Sequence, residues 1–560
     1  MESALVVGGS RPPAGKREPT QELEELNATR AAVSLPLEIL VLIFSDLLLS
    51  SPPRKKEAGI ELGWIRVTHV CRRWREVAVS AALLWTRITD LGPEWTRVSL
   101  ERAGNAPLHL DQYEANSSTS PPVQDIARRL GQMRTLLIHD SCDILRPLLD
   151  RLHEPAPRLE SLEVEISREG DGTQDCPVYE LCGPLLNGGG GPLHHLRLEN
   201  VFFQWNSFKF SSLVNLSISY TGNKKYENGE ETRLPSLLSM LAIIREMTKL
   251  ESLVLRYAIH ASDSEEITQN LEPVSLLHLQ HLILTHNKAI NAAFLRNVIV
   301  KPQAMVGVYC PECIDLAWEA DEDIHTLLNF MVGHIPAPED IPFVSLCHQF
   351  DLTREGVFGM TLRFDNALSE TFHVIFSLAR PDNWLPCLKT AFSTVTQDRL
   401  ATVEMRNEAG VSVDEWTEVF ITTGLSLPEL RELLVELDPS CSFLIALLNL
   451  PVEAIPSLEL IVIDAEEGLE LDMLDEVEEC IVSARERGVP LERIGLRMSA
   501  DSEGVEKWVD MLAAIVPKFG YSTEAETGQG LYDSPTFAKI LFPEWDWEED
   551  DDDDEENEDV

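Results

Sequence analysis

From residue 35 to 48 the chain is apolar at nearly every position (LPLEILVLIFSDLL), and its large side chains form two helical stripes: Leu37, Val41, Phe44, Leu48 and Leu35, Ile39, Ile43, Leu47. Pro36 stands in the first turn, where a missing N–H costs little. A helix this apolar is either buried or shared with a partner, and its length falls short of the roughly 20 residues that span a bilayer. Residues 67–78 (VTHVCRRWREVA) are amphipathic instead: Val67, Val70, Cys71, Trp74, Val77 and Ala78 share one stripe, and Arg72, Arg73, Arg75 and Glu76 fill the other face. Leu83, Leu84 and Trp85 end a unit of about 50 residues, too small to hide all of its large apolar side chains. The surplus implies a docking partner. Between the first two segments, residues 50–59 (SSPPRKKEAG) read as a solvated insertion.

Further along, a triplet spaced apolar-x-x-apolar-x-apolar recurs. It appears at Met133, Leu136, Ile138; Leu159, Leu162, Val164; Leu193, Leu196, Leu198; Leu213, Leu216, Ile218; Leu250, Leu253, Leu255; and Leu279, Leu282, Leu284. It returns at Leu400, Val403, Met405; Leu430, Leu433, Val435; Leu458, Ile461, Ile463; and Leu491, Ile494, Leu496, with a poor copy at Val357, Met360, Leu362. The alternating part predicts a strand, and the stretches between carry helix candidates at residues 234–249 and 413–424, the second closing on Gly424.

The first of these regions resembles a known family. Leu35-Pro36-x-Glu38, Ile43-Phe44, Leu47, Val70-Cys71, Trp74-Arg75 and Leu84-Trp85 match in order the pattern of the F-box, a three-helix module that docks substrate receptors onto the Skp-family adaptor of a cullin-RING ubiquitin ligase. Residues 87–110 resemble the region after the F-box in large families of mushroom-forming fungi. The resemblance implies that Leu35, Pro36, Ile39, Ile43, Phe44, Val70, Cys71, Trp74, Leu84 and Trp85 divide between the module's core and its adaptor-binding surface. The triplets resemble degenerate leucine-rich repeats, in which stacked copies bury an apolar spine that none could bury alone. The asparagine that regular repeats carry after the strand is largely missing, although Asn200 follows Leu198 by two.

The expected fold class is therefore a small all-α F-box at residues 34–90, then an α/β leucine-rich-repeat-like solenoid at 91–543, irregular around 285–399. A disordered segment precedes it at 1–33, and an acidic disordered tail follows at 544–560. The expected function is that of a non-catalytic substrate-receptor subunit of a Skp-cullin-F-box ubiquitin ligase, with the adaptor, through it a cullin, and a protein target as partners. The alternatives are an F-box scaffold without ubiquitin transfer and an acidic protein-binding module.

Charge narrows the partners. The net charge of −47 argues against nucleic acid, whose phosphates demand excess Lys and Arg. Residues 544–560 hold thirteen acidic residues and no base, which predicts a self-repelling, solvated tail. The first residues lack the pattern of a secretory signal and no apolar run reaches membrane-spanning length, so a soluble cytoplasmic or nuclear protein is expected. Ten scattered cysteines fit a reducing compartment.

Candidate chemistry is sparse, and no cofactor or metal is expected. Cys310 and Cys313 have the gap that lets two thiolates share a zinc ion, with His325, Cys347 and His348 beyond, but no second close ligand pair follows. The glycine run 188–191 lacks the Lys-Ser or Lys-Thr of a phosphate loop and reads as a flexible connector. Histidines 194, 195, 278, 281 and 286 lie on or beside expected strands with no nucleophile to serve.

Overall fold

The computed structural model describes residues 35–56, 59–89, 91–114, 123–166, 178–189, 191–220, 234–260, 272–301, 304–310, 322–332, 345–347, 358–365, 371–378, 389, 402–406, 412–436, 441–465, 474–498 and 505–522. The segments 1–33 and 544–560, the loop at 333–343, and Cys313 and His348 lie outside them. The chain divides into two compact units, Met1–Phe210 and Ser211–Val560. The division falls inside the stretch that sequence assigns to one array.

In the first unit, helix α1 (Leu37–Ser50) is followed by a short antiparallel hairpin, Arg54–Lys56 with Gly59–Glu61. Of the residues read as a solvated insertion, Arg54–Lys56 and Gly59 are exposed yet paired while Pro53 is buried, and a Lys56–Glu61 ion pair at 2.9 Å joins the two strands. The expected helix over 67–78 is broken. A 3-10 helix covers Gly63–His69, and helix α2 (Arg72–Ser80) starts anew. Cys71 is the reason: its backbone is extended and its Sγ accepts a hydrogen bond from the Trp74 N–H, so the thiol caps α2 rather than continuing a stripe. Gly63 makes the preceding turn possible, with φ +49 and a site where a Cβ would lie 2.4 Å from the Ser51 carbonyl oxygen. A 3-10 turn at Ala82–Trp85 takes the place of a third full helix.

The chain then enters a sheet directly. Strands Arg87–Ile88, Leu108–Glu114, Met133–Asp140, Ser161–Ile166 and His195–Glu199 pair in sequence order, all parallel. Helix α3 (Pro93–Ala103) makes the first crossover, and the Arg102 guanidinium lies 4.2 Å above the Trp85 ring, fastening the helical module to the sheet. Triplet residues align across the ladder, Leu136 with Leu162 and Leu196, Ile138 with Val164 and Leu198, and all are buried. Asn200 is buried at φ +60 and its carboxamide donates to the Ile166 carbonyl at 3.3 Å, satisfying the end of the neighbouring strand. The glycine run is more than a connector. Gly189 bridges to Lys209 at φ +111, where a Cβ would meet the Lys209 carbonyl oxygen at 2.5 Å.

In the second unit, strands Asn215–Ser219, Ser252–Arg256, His281–Thr285 and Met305–Tyr309 form one parallel run. Thr402–Arg406, Glu432–Glu436, Leu460–Ala465, Arg493–Met498 and Lys518–Ser522 form another. Helices Leu237–Arg245, Lys288–Arg296, Val413–Thr423, Ser442–Leu448, Leu474–Glu486 and Val505–Ile515 are interspersed with them. The helix at Val413–Thr423 has the reciprocal Ser412–Glu415 capping box and ends at Gly424 in the left-handed region.

One expectation needs correction here. The poor triplet at Val357, Met360, Leu362 is not a further parallel copy. Strand Phe358–Asp365 pairs antiparallel with Thr371–Leu378, so its alternation belongs to a hairpin. Around residue 460 both faces of the strand are buried, Leu460 and Val462 as fully as Ile461 and Ile463. Apolar residues on both sides of a strand produce that outcome.

Candidate functional site

The helical module keeps only part of its apolar surface inside. On α1, Leu40 and Phe44 are fully buried, and Phe44 meets Trp74 of α2 edge-on with ring centroids 5.2 Å apart. Trp64 and Trp85 form a second edge-on pair at 5.0 Å, and the Trp85 indole N–H donates to the Ala78 carbonyl at 2.8 Å. These pairs and buried Leu84, Val77 and Ala78 complete the core. Arg73 donates to the Leu35 carbonyl at 2.7 Å and Arg75 to the Thr68 carbonyl at 2.7 Å, so two arginines of the polar face of α2 hold the entry to α1 and the 3-10 turn.

The opposite side of α1 faces solvent. Ile39, Leu42, Ile43 and Leu49 lie along it, with Leu42 66% exposed, and Leu37, Val70 and Leu83 are also exposed. Among the described residues, most of the exposed large apolar side chains fall between residues 37 and 83, so that this module carries more water-facing apolar surface than the rest of the described chain. The ten residues chosen from sequence separate accordingly. Phe44, Leu84 and Trp85 are core; Leu35, Cys71 and Trp74 are half-buried; Pro36, Ile39, Ile43 and Val70 are exposed.

The ten leave out Leu40, Trp64 and, on the outer side, Leu42 and Leu49, as well as Leu37 and Leu83, which the apolar pattern named without assigning them to the site. The Leu40–Phe44 spacing of one helical turn carried the signal for the core stripe. In a helix apolar all round it competes with Ile39–Ile43.

Elsewhere, the side chains weighed for chemistry have structural partners. Cys310 is buried and its sulfur accepts from the Asn291 carboxamide at 3.3 Å; the same carboxamide donates to the His286 and Tyr309 carbonyls. His286 is buried, its Nδ1 accepting from the Asn287 N–H and its Nε2 donating to the Ile259 carbonyl, and burial lowers its pKa to about 4. His195 lies 3.8 Å from Glu163 on a half-buried strand face where Arg197 also bridges Glu163 and Glu165. Among the described residues no three His, Cys, Asp or Glu side chains gather as a metal site. None of the described helices is long and apolar enough to cross a membrane.

This geometry defines a small helical module with a closed core and a solvent-facing apolar face. The F-box-like family model matches residues 32–90, the stretch that holds α1, the hairpin, α2 and the Ala82–Trp85 turn. Residues 32–90 are an F-box-like domain. No curated protein matches the chain.

Proposed function

We propose that the protein is a substrate-receptor subunit of a Skp-cullin-F-box ubiquitin ligase. The F-box-like module docks a Skp-family adaptor and through it a cullin, and the strand-and-helix region behind it presents a protein target. The observation that carries this reading is the solvent-facing stripe of Ile39, Leu42 and Ile43 on a module already packed around Phe44 and Trp85. Apolar side chains not needed inside gain from burial by a partner in proportion to the area they still expose, at about 25 cal/mol per Å². Pro36 and Val70, exposed beside that core, and half-buried Leu35, Cys71 and Trp74 would extend the contact.

The region behind it reads as an irregular leucine-rich-repeat-like array. That view is supported by parallel strands in sequence order whose triplet residues share a register, and by Asn200 bonding back to the preceding strand. In such a subunit catalysis resides in the partners, and the chain supplies proximity, raising the effective concentration of target at the transfer machinery. Affinity purification under proteasome block, comparing the intact chain with the Leu42→Asp/Ile43→Asp variant, tests it. Adaptor and cullin should disappear from the variant while the target stays. Adaptor recovered without cullin from the intact chain would favour a scaffold.

A further inference from the structure

A groove opens where the chain enters α1. Buried Val77 is its floor, Leu37 and Val79 flank it, and Arg73 and Arg75 line it beside the single carboxylate Glu76. Leu37 is 52% exposed there, and the Arg73–Leu35 hydrogen bond ties the incoming chain to the groove's rim.

The charge lining this groove, Arg73 and Arg75 against Glu76, runs against that of the whole protein, whose net charge is −47. Just upstream of α1, residues 21–33 hold three Glu against the single Arg30, and Leu23 and Leu26 within them have the spacing of one helix face. The nine residues from Leu26 to Leu35 span up to about 30 Å when extended, ample for the chain to fold back onto a groove that begins at Leu37.

We propose that residues 21–33 dock intramolecularly in this groove, with Leu23 and Leu26 against Leu37, Val77 and Val79, and Glu22, Glu24 and Glu25 towards Arg73 and Arg75. Three observations select this occupant: it is covalently adjacent, so its effective concentration is high; its charge is opposite to the rim; and its leucines have an apolar floor to cover. Docking would shield Leu37 and set the N-terminal limit of the surface open to other partners.

Amide hydrogen exchange on the full chain without any partner tests the proposal, which makes the outcome independent of adaptor binding. Amides in residues 23–33 should exchange at least about tenfold more slowly than an unstructured chain. The protection should be lost in Leu23→Asp/Leu26→Asp, which lies outside the groove-forming residues and leaves their fold intact. It should be lost equally in Val79→Asp, with exchange in α3 unchanged as the control for folding. Unprotected amides at 23–33 in the wild type, or protection that survives both variants, would overturn it.

Discussion

Phe44 and Trp74 meet edge-on, with ring centroids 5.2 Å apart and an interplanar angle of 61°, and this contact decides which way α1 faces. Phe44 is wholly buried against α2, so Ile43, its neighbour in sequence, is turned to water. Two adjacent apolar residues of the same helix therefore have opposite duties, one in packing and one at a surface.

Truncating the two should separate those duties. Phe44→Ala removes a buried ring and is expected to destabilise the helical module by about 3–5 kcal/mol, whereas Ile43→Ala should cost under about 1 kcal/mol. Hydrogen exchange across residues 35–103 would read both. Equal losses would mean that Ile43 is also a core residue.

Gly63 is held at φ +49 with the Ser51 carbonyl oxygen 2.4 Å from the place of a Cβ. Gly63→Ala should lower stability by more than about 1 kcal/mol, because strain and a backbone clash add. A thermal midpoint equal to that of the wild type would show that the turn can relax.

Asn200 is buried at φ +60 and donates to Ile166. Replacement by Ala removes the donor from a buried carbonyl and leaves a strained backbone, so a loss of roughly 1–3 kcal/mol is expected in chemical denaturation. Replacement by Gly should recover the part due to strain. An Ala variant as stable as the wild type would remove the anchoring role of this side chain.

The pKa of His286 is lowered to about 4 by burial, against an ordinary value of 6.5. The unfolded chain therefore takes up a proton that the folded chain refuses as pH falls from about 6.5 to about 4, and stability declines across that window by roughly 3 kcal/mol from this group. Above pH 6.5 the group is neutral in both states and the loss vanishes. His286→Gln should be less stable at pH 7 yet show a shallower fall on acidification. An identical pH dependence would mean that His286 is not buried as a neutral ring.

Much of the parallel sheet was legible because a period of two identifies one buried strand face, as in Leu162 and Val164 or Leu253 and Leu255. Strand Met305–Tyr309 escaped because Gln303 stands three residues before Val306, at the place where the other copies carry an apolar residue. The same period cannot distinguish a parallel from an antiparallel partner, which is why Met360 and Leu362 looked like a repeat and belong to a hairpin. In the candidate site the composition of α1 was clear but its orientation was not. Both stripes were apolar, and the contact with Trp74 some thirty residues later in the chain chooses between them. Cys71 looked like a member of an apolar stripe because its role as a cap depends on an extended backbone that no spacing reveals.

The central claim is that the solvent-facing stripe of α1 docks a Skp-family adaptor. Calorimetric titration of that adaptor into the intact chain and into Leu42→Asp/Ile43→Asp is the most direct measurement. The claim predicts binding by the intact chain and at least about a hundredfold loss in the variant, nearly 3 kcal/mol, with an unchanged thermal midpoint. Equal affinity of the two proteins, or no binding by the intact chain, would contradict it.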